Sequence, residues 1–183
     1  MEKTVANVAL FAALIAVLGI VPNITLGFGV PITAQSLGIM LCGTILGARR
    51  GAMAVLVFLL LVALGLPLLS GGRGGLGVFV GPTSGFLFGW VAAAFVTGLI
   101  VQKWRQAPLT LVASVASIIG GIGVLYAFGI VGMSVVLGKS LSEATLLVVA
   151  FIPGDIAKAI IAGLLTASLA RARPASLLSR QGV

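Results

Sequence analysis

The chain has 183 residues, of which 60% are hydrophobic and only 8% are charged, and its mean hydropathy is +1.30. This composition excludes a soluble domain with an ordinary core and indicates an all-α integral membrane protein. With three acidic residues, no histidine and one cysteine, we expect neither catalysis nor a metal or cofactor site. The net charge of +8 does not indicate nucleic acid, because the basic residues stand at the ends of apolar runs without interleaved aromatic residues.

Six apolar runs, taken in chain order, predict six transmembrane helices in a single membrane domain. They cover residues 5–21, 32–47, 51–66, 84–101, 109–137 and 153–170, within one domain at 1–183. Several are short, since at about 1.5 Å per residue they reach roughly 25 Å, slightly under the ~30 Å apolar core of a bilayer. The fifth run is too long for one straight crossing, so Gly129 and Gly132 predict a bend or an exit near Phe128. Ser142 is then expected to N-cap a short helix that ends near Phe151.

The positive charges predict how the bundle is oriented. Most of the basic residues fall on the side of the two termini: Lys3, Arg49, Arg50, Lys103, Arg105, Arg171, Arg173 and Arg180. Only Arg73 and Lys139 lie on the opposite side, and Lys158 lies inside the sixth run. We therefore expect a multi-pass protein of the plasma membrane with both termini in the cytoplasm. The first apolar run continues to Val21 without a clear cleavage site, which predicts a retained helix rather than a signal peptide.

An acid and a base interrupt the sixth apolar run, at Asp155 and Lys158. Residues three apart share one face of a helix, and ionisable groups in membrane helices normally face the bundle interior or a watery cavity. Pro153 suits the first turn of this helix, which would place the pair near its outer end. We expect a polar ligand there. A plain ion pair between the two side chains is the structural alternative.

Two connections marked by glycine and proline predict the mouth of a cavity at the same outer end. One covers residues 22–31, and the other covers residues 65–82, contains seven glycines and carries Arg73. Arg73 is either a ligand contact or an ordinary solvated charge of the loop. Gln35, which follows the first connection, either binds the ligand or only forms a hydrogen bond between helices.

The first predicted helix carries a face of small residues at Ala9, Ala13 and Ala16. In lipid, small side chains let helix backbones approach closely and gain packing contacts. From these residues alone, packing inside the bundle is the simpler explanation. A surface for a partner subunit is the alternative.

Five segments occur in the order that is found in the BioY family, the biotin-specific S components of energy-coupling factor (ECF) transporters. They read VPITAQSLG at 30–38, LGARRG at 46–51, GLP at 65–67, GPTSGFL at 81–87 and IPGDIAK at 152–158. The chain resembles this family over nearly its whole length. The resemblance implies a six-helix, S-component-like bundle that captures biotin outside and releases it inside, together with a transmembrane T subunit and two ABC-type ATPases. It also favours Ala9, Ala13 and Ala16 as the surface that docks on the T subunit.

Biotin, the ligand that this resemblance implies, offers two ureido N–H donors, a carbonyl, an apolar ring and a carboxylate. We expect Asp155 to accept from the ureido N–H groups, and Lys158 or Gln35 to donate to the carbonyl. Arg73 is the candidate for the carboxylate, with loop amides or Thr83 as alternatives. Three aromatic residues are expected to supply the apolar walls: Phe86, Tyr126 and Phe151.

Two other classes of function stay open at the level of sequence. A self-contained secondary carrier for biotin or a related small carboxylate would need no partner subunit. We detect no inverted repeat, however, and Asp155 is the only candidate for coupling to a proton or ion from inside the bundle. A non-transporting assembly protein would bind no vitamin at all.

Overall fold

The computed structural model describes residues 2–25 and 30–181, most of which are helical. The helices are α1 (Glu2–Leu18), α2 (Gln35–Leu41), α3 (Ala48–Ala63), α4 (Ser84–Lys103), α5 (Leu109–Ile118), α6 (Leu125–Leu137), α7 (Leu141–Val149) and α8 (Ile152–Ala172). Two π-helical turns, Cys42–Leu46 and Ile119–Val124, extend α2 and join α5 to α6. Short 3-10 turns occupy Leu76–Phe79 and Pro174–Ser176. The connection after α1 adds an antiparallel pair of short strands, β1 (Ile24–Thr25) and β2 (Pro31–Ile32), which the all-α prediction did not include.

Three helices are long and apolar enough to cross a membrane, by length and composition. They are Ser84–Lys103, Leu109–Leu137 and Ile152–Ala172, and they agree with the runs predicted at 84–101, 109–137 and 153–170 within two residues at each end. Two shorter apolar helices cover Thr4–Leu18 and Gln35–Leu46. Helix α3 begins at Ala48 rather than at residue 51, because Gly47 (φ +85°) ends the preceding turn and the next helix starts at once.

The second half of the fifth run and the segment after it depart from the sequence prediction in two places. The expected exit near Phe128 is wrong, because α6 stays helical to its end at Leu137. Ser142 is not the N-cap of the short helix that follows. That role belongs to Ser140, whose hydroxyl accepts the N–H of Glu143 at 3.3 Å while the Glu143 carboxylate accepts the N–H of Ser140 at 2.8 Å. Hydrogen bonds from Ser140 hold the pKa of Glu143 below its ordinary value.

The glycines of α6 allow close packing against α4. A Cβ added to Gly132 would lie 2.6 Å from the Cα of Gly85 on α4, and one added to Gly129 would overlap the ring of Phe86. Real Cβ atoms do not approach other atoms so closely. The absence of side chains at these positions therefore lets α4 and α6 pack backbone to backbone, as small residues do in membrane bundles.

The largest cluster of buried apolar side chains joins α1, α2, α3, α4, α6 and α7. At its centre, Phe58 of α3 is fully buried and packs on Trp90 of α4, with ring centroids 6.1 Å apart. Large apolar side chains are also exposed around the bundle, such as Leu60 of α3 and Leu164 of α8. A bundle with a packed apolar interior and an apolar exterior suits lipid as its solvent.

Candidate ligand-binding site

The ion pair predicted from the sequence lies in the first two turns of α8. Pro153 occupies the opening turn, where a missing N–H costs nothing because no carbonyl precedes it in the helix. The Nζ atom of Lys158 lies 2.8 Å from Oδ1 of Asp155, and Asp155 is only 6% exposed. The two side chains therefore pair with one another, as the structural alternative expects. They do so, however, in the wall of a cavity.

Lys158 uses all three of its N–H groups within the protein. Besides Asp155, it donates to the carbonyl oxygen of Thr33 at 2.7 Å and to the hydroxyl of Ser36 at 2.9 Å. Thr33 lies just before α2 and Ser36 lies in its first turn, so the ammonium joins α8 to α2. A half-buried charge that is paired and fully hydrogen-bonded is held in one position.

The carboxylate of Asp155 keeps one acceptor position free. Its Oδ1 accepts from Lys158 and from the hydroxyl of Ser36 at 3.2 Å, and its Oδ2 accepts from the hydroxyl of Tyr126 at 2.8 Å. A carboxylate offers about four lone-pair positions. No other donor in the described part of the chain reaches the second position on Oδ2. An N–H group of a ligand in the cavity can therefore bond there without displacing a protein contact.

Three aromatic rings stand beside the ion pair. Phe86, in the first turn of α4, meets the ring of Tyr126 edge-on at 6.5 Å between centroids and the ring of Phe151 at 6.2 Å. Tyr126 comes from α6, and Phe151 directly precedes α8. Edge-to-face contacts at this distance are favourable and fix the relative orientation of the rings. The result is an apolar wall next to a polar anchor, which is the usual composition of a small-molecule site.

Arg73 approaches the cavity from the glycine-rich loop between α3 and α4. Its Nε donates to the carbonyl of Ser70 at 3.2 Å, and its other guanidinium N–H groups make no hydrogen bond within the described residues. Partial burial lowers the pKa of Arg73 below its ordinary value, yet an arginine stays charged at neutral pH. Thr83, at the end of the same loop, is buried and its hydroxyl caps no N–H of α4. Both side chains therefore have donors to offer to an anion.

The side-chain amide of Gln35 forms three hydrogen bonds to backbone groups of the protein. Its amide N–H groups donate to the carbonyls of Ile15 and Leu68, both at 3.1 Å, and its carbonyl accepts the N–H of Ser70 at 3.0 Å. Gly19 makes room for this arrangement, since a Cβ there would lie 2.9 Å from the Gln35 Nε2 atom. This geometry matches the alternative in which Gln35 joins elements of the bundle. The amide ties α1 and the loop to the start of α2.

The structure brings all of the predicted ligand-binding residues to one cavity. They are Gln35, Arg73, Thr83, Phe86, Tyr126, Phe151, Asp155 and Lys158. Counting its open mouth, the cavity encloses about 580 Å³ of empty space. Its wall is mainly apolar, with the ion pair and Arg73 as the charged groups. Such a cavity suits a ligand with an apolar body, a hydrogen-bonding head and an anionic end.

Comparison with known proteins decides the family. The family model described as the BioY family matches residues 2–175. The chain belongs to the BioY family. A BioY protein of Rhodobacter capsulatus, named biotin transporter BioY, is 53% identical over 189 aligned residues, which cover 98% of this chain and 100% of the relative. Another of the same name, from Rhizobium etli, is 56% identical and covers 86% of this chain and 87% of its own length.

A solved structure matches this BioY chain over most of its length. It is described as the S-component for biotin from an ECF-type ABC transporter. The two folds superpose with a TM-score of 0.88 at 32% sequence identity, over 93% of this chain and 92% of the other. The helical S-component fold is thus shared.

Several residues that line the cavity of this BioY chain were not predicted from the sequence. Thr33 and Ser36 complete the hydrogen bonds of Lys158. They could have been noted as polar residues beside Gln35 at the start of an apolar run. Trp90 also lines the cavity and is buried. It stands four residues after Phe86, so the spacing of one helix face was a signal for it.

The small-residue face of α1 lies away from the cavity of this BioY chain. Ala9 and Ala13 are exposed, and Ala16 is half-buried against the core. The buried side of the same helix carries Ala12 and Ile15 instead. Packing inside the bundle, the simpler explanation from the sequence, is therefore wrong for Ala9 and Ala13. It remains a partial account of Ala16.

Proposed function

We propose that this chain is the biotin-binding, substrate-capture subunit of an ECF-type vitamin transporter. The observation that carries the proposal is the free acceptor position of Asp155, set beside Lys158 in a cavity with apolar walls and a half-buried arginine. The family supports biotin as the ligand, since its members with high identity are named as biotin transporters. The chain would bind and carry the vitamin without catalysing a reaction and without a cofactor.

In this proposal the ureido ring of biotin lies against the ion pair. One ureido N–H donates to the open position on Oδ2 of Asp155, in a charge-assisted hydrogen bond. The ureido carbonyl then accepts a hydrogen bond from Lys158, whose hydrogen bond to Ser36 is broken in exchange. Gln35, with both amide N–H groups already donated to backbone carbonyls, contributes by holding the loop rather than by touching the carbonyl.

The opposite end of the ligand is assigned to the glycine-rich loop. Arg73 has unused guanidinium donors, and guanidinium groups match carboxylates in geometry as well as in charge. Thr83, the residue directly before α4, adds a hydroxyl that can donate to the carboxylate. Between these two ends, the rings of Phe86, Tyr126 and Phe151 cover the apolar bicyclic part of the vitamin.

We further propose that residues 1–183 form one membrane domain with six transmembrane helices and both termini in the cytoplasm. The balance of basic residues between the two sides supports this orientation. Transport would be energised by a T subunit and two ABC-type ATPases in the plasma membrane. The exposure of Ala9 and Ala13 on α1, with Ala16 beside them, supports this face as the docking surface for the T subunit.

Isothermal titration of the purified, folded protein tests the ligand. We expect saturable binding of biotin, weaker binding of biotin amide, whose carboxylate is neutralised, and no binding of lipoate, which has a carboxylate and a sulfur ring but no ureido group. The loss of affinity with biotin amide measures the contribution of Arg73, and the loss with lipoate measures the contribution of the ion pair. A folded protein that releases no heat with biotin would contradict the ligand assignment.

Uptake of labelled biotin tests the dependence on partners. Cells that produce this chain together with a T subunit and the ATPases should accumulate biotin, and cells that lack every T and ATPase subunit should not. An ATPase variant that cannot hydrolyse ATP serves as the control for assembly without energy. Equal uptake in all three strains would support the self-contained carrier instead.

A further inference from the structure

A second cavity opens at the other end of α4. Gln102, which lines it, stands sixteen residues after Phe86 on the same helix, about 24 Å along the axis at 1.5 Å per residue. Arg49 and Arg50, in the first turn of α3, also line the cavity, and Leu178 reaches it from the carboxyl-terminal segment. Counting its open mouth, it encloses about 900 Å³ of empty space. The ligand site described above uses none of these residues.

The charged side chains of this second cavity, Arg49 and Arg50, are donors. Its other polar side chains are the amides of Gln102 and Gln181, and Gln181 donates to the carbonyl of Ala175 and keeps its own carbonyl as an acceptor. Within residues 2–25 and 30–181, neither Arg49 nor Arg50 forms a hydrogen bond or an ion pair, although Arg50 is half-buried. The carbonyl of Gln102 accepts the N–H of Ala48 at 3.3 Å, which leaves its NH2 group without a protein acceptor. Among the described residues, no acidic side chain lines the cavity. A partly enclosed group of donors with two positive charges selects an anion with several acceptor oxygens, and a phosphate has this chemistry.

The apolar walls of the same cavity indicate where such a phosphate comes from. Phe95 and Leu99 of α4 line it, and Phe95 is 40% exposed. Phe88 stands seven residues before Phe95, about two turns closer to the start of α4, and is 56% exposed. The apolar wall therefore continues onto the lipid-facing side of the bundle. A free phosphate gains nothing from such a wall, whereas the glycerol and acyl groups of a lipid do. Basic pockets between transmembrane helices are known to suit lipid headgroups.

We propose that this cavity binds the phosphate headgroup of an anionic phospholipid from the adjoining leaflet. Arg49 and Arg50 pair with the phosphate, the NH2 group of Gln102 donates to it, and the start of an acyl chain lies along Phe95 and Leu99. The inference rests on the membrane location of the chain. It does not depend on which vitamin occupies the other cavity.

Native mass spectrometry of the full-length protein in a neutral detergent tests the site. The protein is titrated in parallel with dioleoyl phosphatidylglycerol and dioleoyl phosphatidylcholine, and phosphatidylglycerol is then challenged with millimolar inorganic phosphate. We expect phosphatidylglycerol to be retained at least about tenfold better than phosphatidylcholine, and inorganic phosphate not to displace it. The double variant R49Q/R50Q should retain about 20- to 30-fold less phosphatidylglycerol, since each basic residue near an anionic lipid surface changes binding about fivefold.

The matched control is R171Q/R173Q, which removes the same charge from two exposed arginines outside the cavity. It should keep its phosphatidylglycerol occupancy within about threefold. If R49Q/R50Q does not fold, Gln102→Glu provides a second variant, because it keeps the acceptor for Ala48 and adds a negative charge among the donors. We expect Gln102→Glu to lower phosphatidylglycerol retention about tenfold.

Three results would overturn the proposal. Equal losses in the two double variants would mean general attraction to negative lipid rather than a site. Displacement of the lipid by inorganic phosphate would mean a site for a soluble anion. Equal retention of phosphatidylglycerol and phosphatidylcholine by the unsubstituted chain would mean that the cavity does not select a negatively charged headgroup.

Discussion

Asp155→Asn tests the proposed contact between Asp155 and the ureido group of biotin. The substitution keeps the size of the side chain and one acceptor oxygen, but it removes the charge and introduces an NH2 donor. Because an NH2 group cannot accept from the ammonium of Lys158, it will face the hydroxyl of Tyr126, which is 2.8 Å from Oδ2 in the unsubstituted site. The position assigned to the ureido N–H then presents a donor instead of an acceptor.

The expected loss of affinity follows from this exchange. A hydrogen bond to a charged group contributes about 1.5–3 kcal/mol, which corresponds to a Kd about 10- to 150-fold weaker. The introduced NH2 group and the ureido N–H are both donors, and their contact is repulsive. We therefore expect a loss near the upper part of this range, about 100-fold. The protein should still fold, because Lys158 keeps its hydrogen bonds to Thr33 and Ser36.

Isothermal titration with biotin measures the change, and the unfolding temperature without ligand checks the fold. Glu143→Gln is the matched control, since it makes the same replacement of a carboxylate by an amide in the capping box of α7, outside the cavity. Its affinity for biotin should equal that of the unsubstituted chain. A folded Asp155→Asn variant whose Kd stays within about threefold of the original would remove Asp155 from the ligand site and leave its ion pair as a structural feature only.

Three further predictions address the loop, the α1 face and the cap of α7. Arg73→Gln should weaken biotin binding by about tenfold or more but leave binding of biotin amide unchanged in the same titration; equal losses for both ligands would contradict a contact with the carboxylate. Ala13→Trp, like Ala9→Trp, should leave biotin binding by the isolated subunit intact while uptake by the assembled transporter falls, and unchanged uptake would contradict this face as the docking surface. Ser140→Ala should reduce the local stability of α7 by about 1 kcal/mol, seen as faster hydrogen exchange of its amides, and unchanged exchange would refute the role of the cap.

The long helices, and the gathering of the candidate site residues at one end of the bundle, could be predicted because both depend on features local in sequence. Apolar runs of sufficient length define α4, the α5–α6 pair and α8 almost to the residue. Asp155 and Lys158 stand out because a charge inside an apolar run costs free energy in the membrane unless it is paired or faces a polar cavity. Residues far apart in the chain could then be assigned to one cavity, since the two loop regions and the start of α8 were expected at the same end of the bundle.

The partners of these side chains could not be predicted, because they depend on contacts between distant segments. Lys158 bonds to the backbone carbonyl of Thr33, 125 residues away, and no residue type marks such an acceptor. The sequence analysis likewise did not identify Ser140, rather than Ser142, as the N-cap. Both are common capping residues, and only the position of Glu143, three residues after Ser140, distinguishes them through the reciprocal hydrogen bonds of a capping box.

The amide of Gln35 has a consequence for how the subunit responds to its neighbours. It grips the carbonyl of Ile15 on the helix whose outer side bears Ala9, and with the same group it holds Leu68 and Ser70 in the segment that delivers Arg73. In the proposed assembly, a partner that tilts α1 would displace the loop segment that carries Arg73, the residue proposed to bind the vitamin's carboxylate. Docking on α1 would then be coupled to ligand binding through the hydrogen bonds of Gln35.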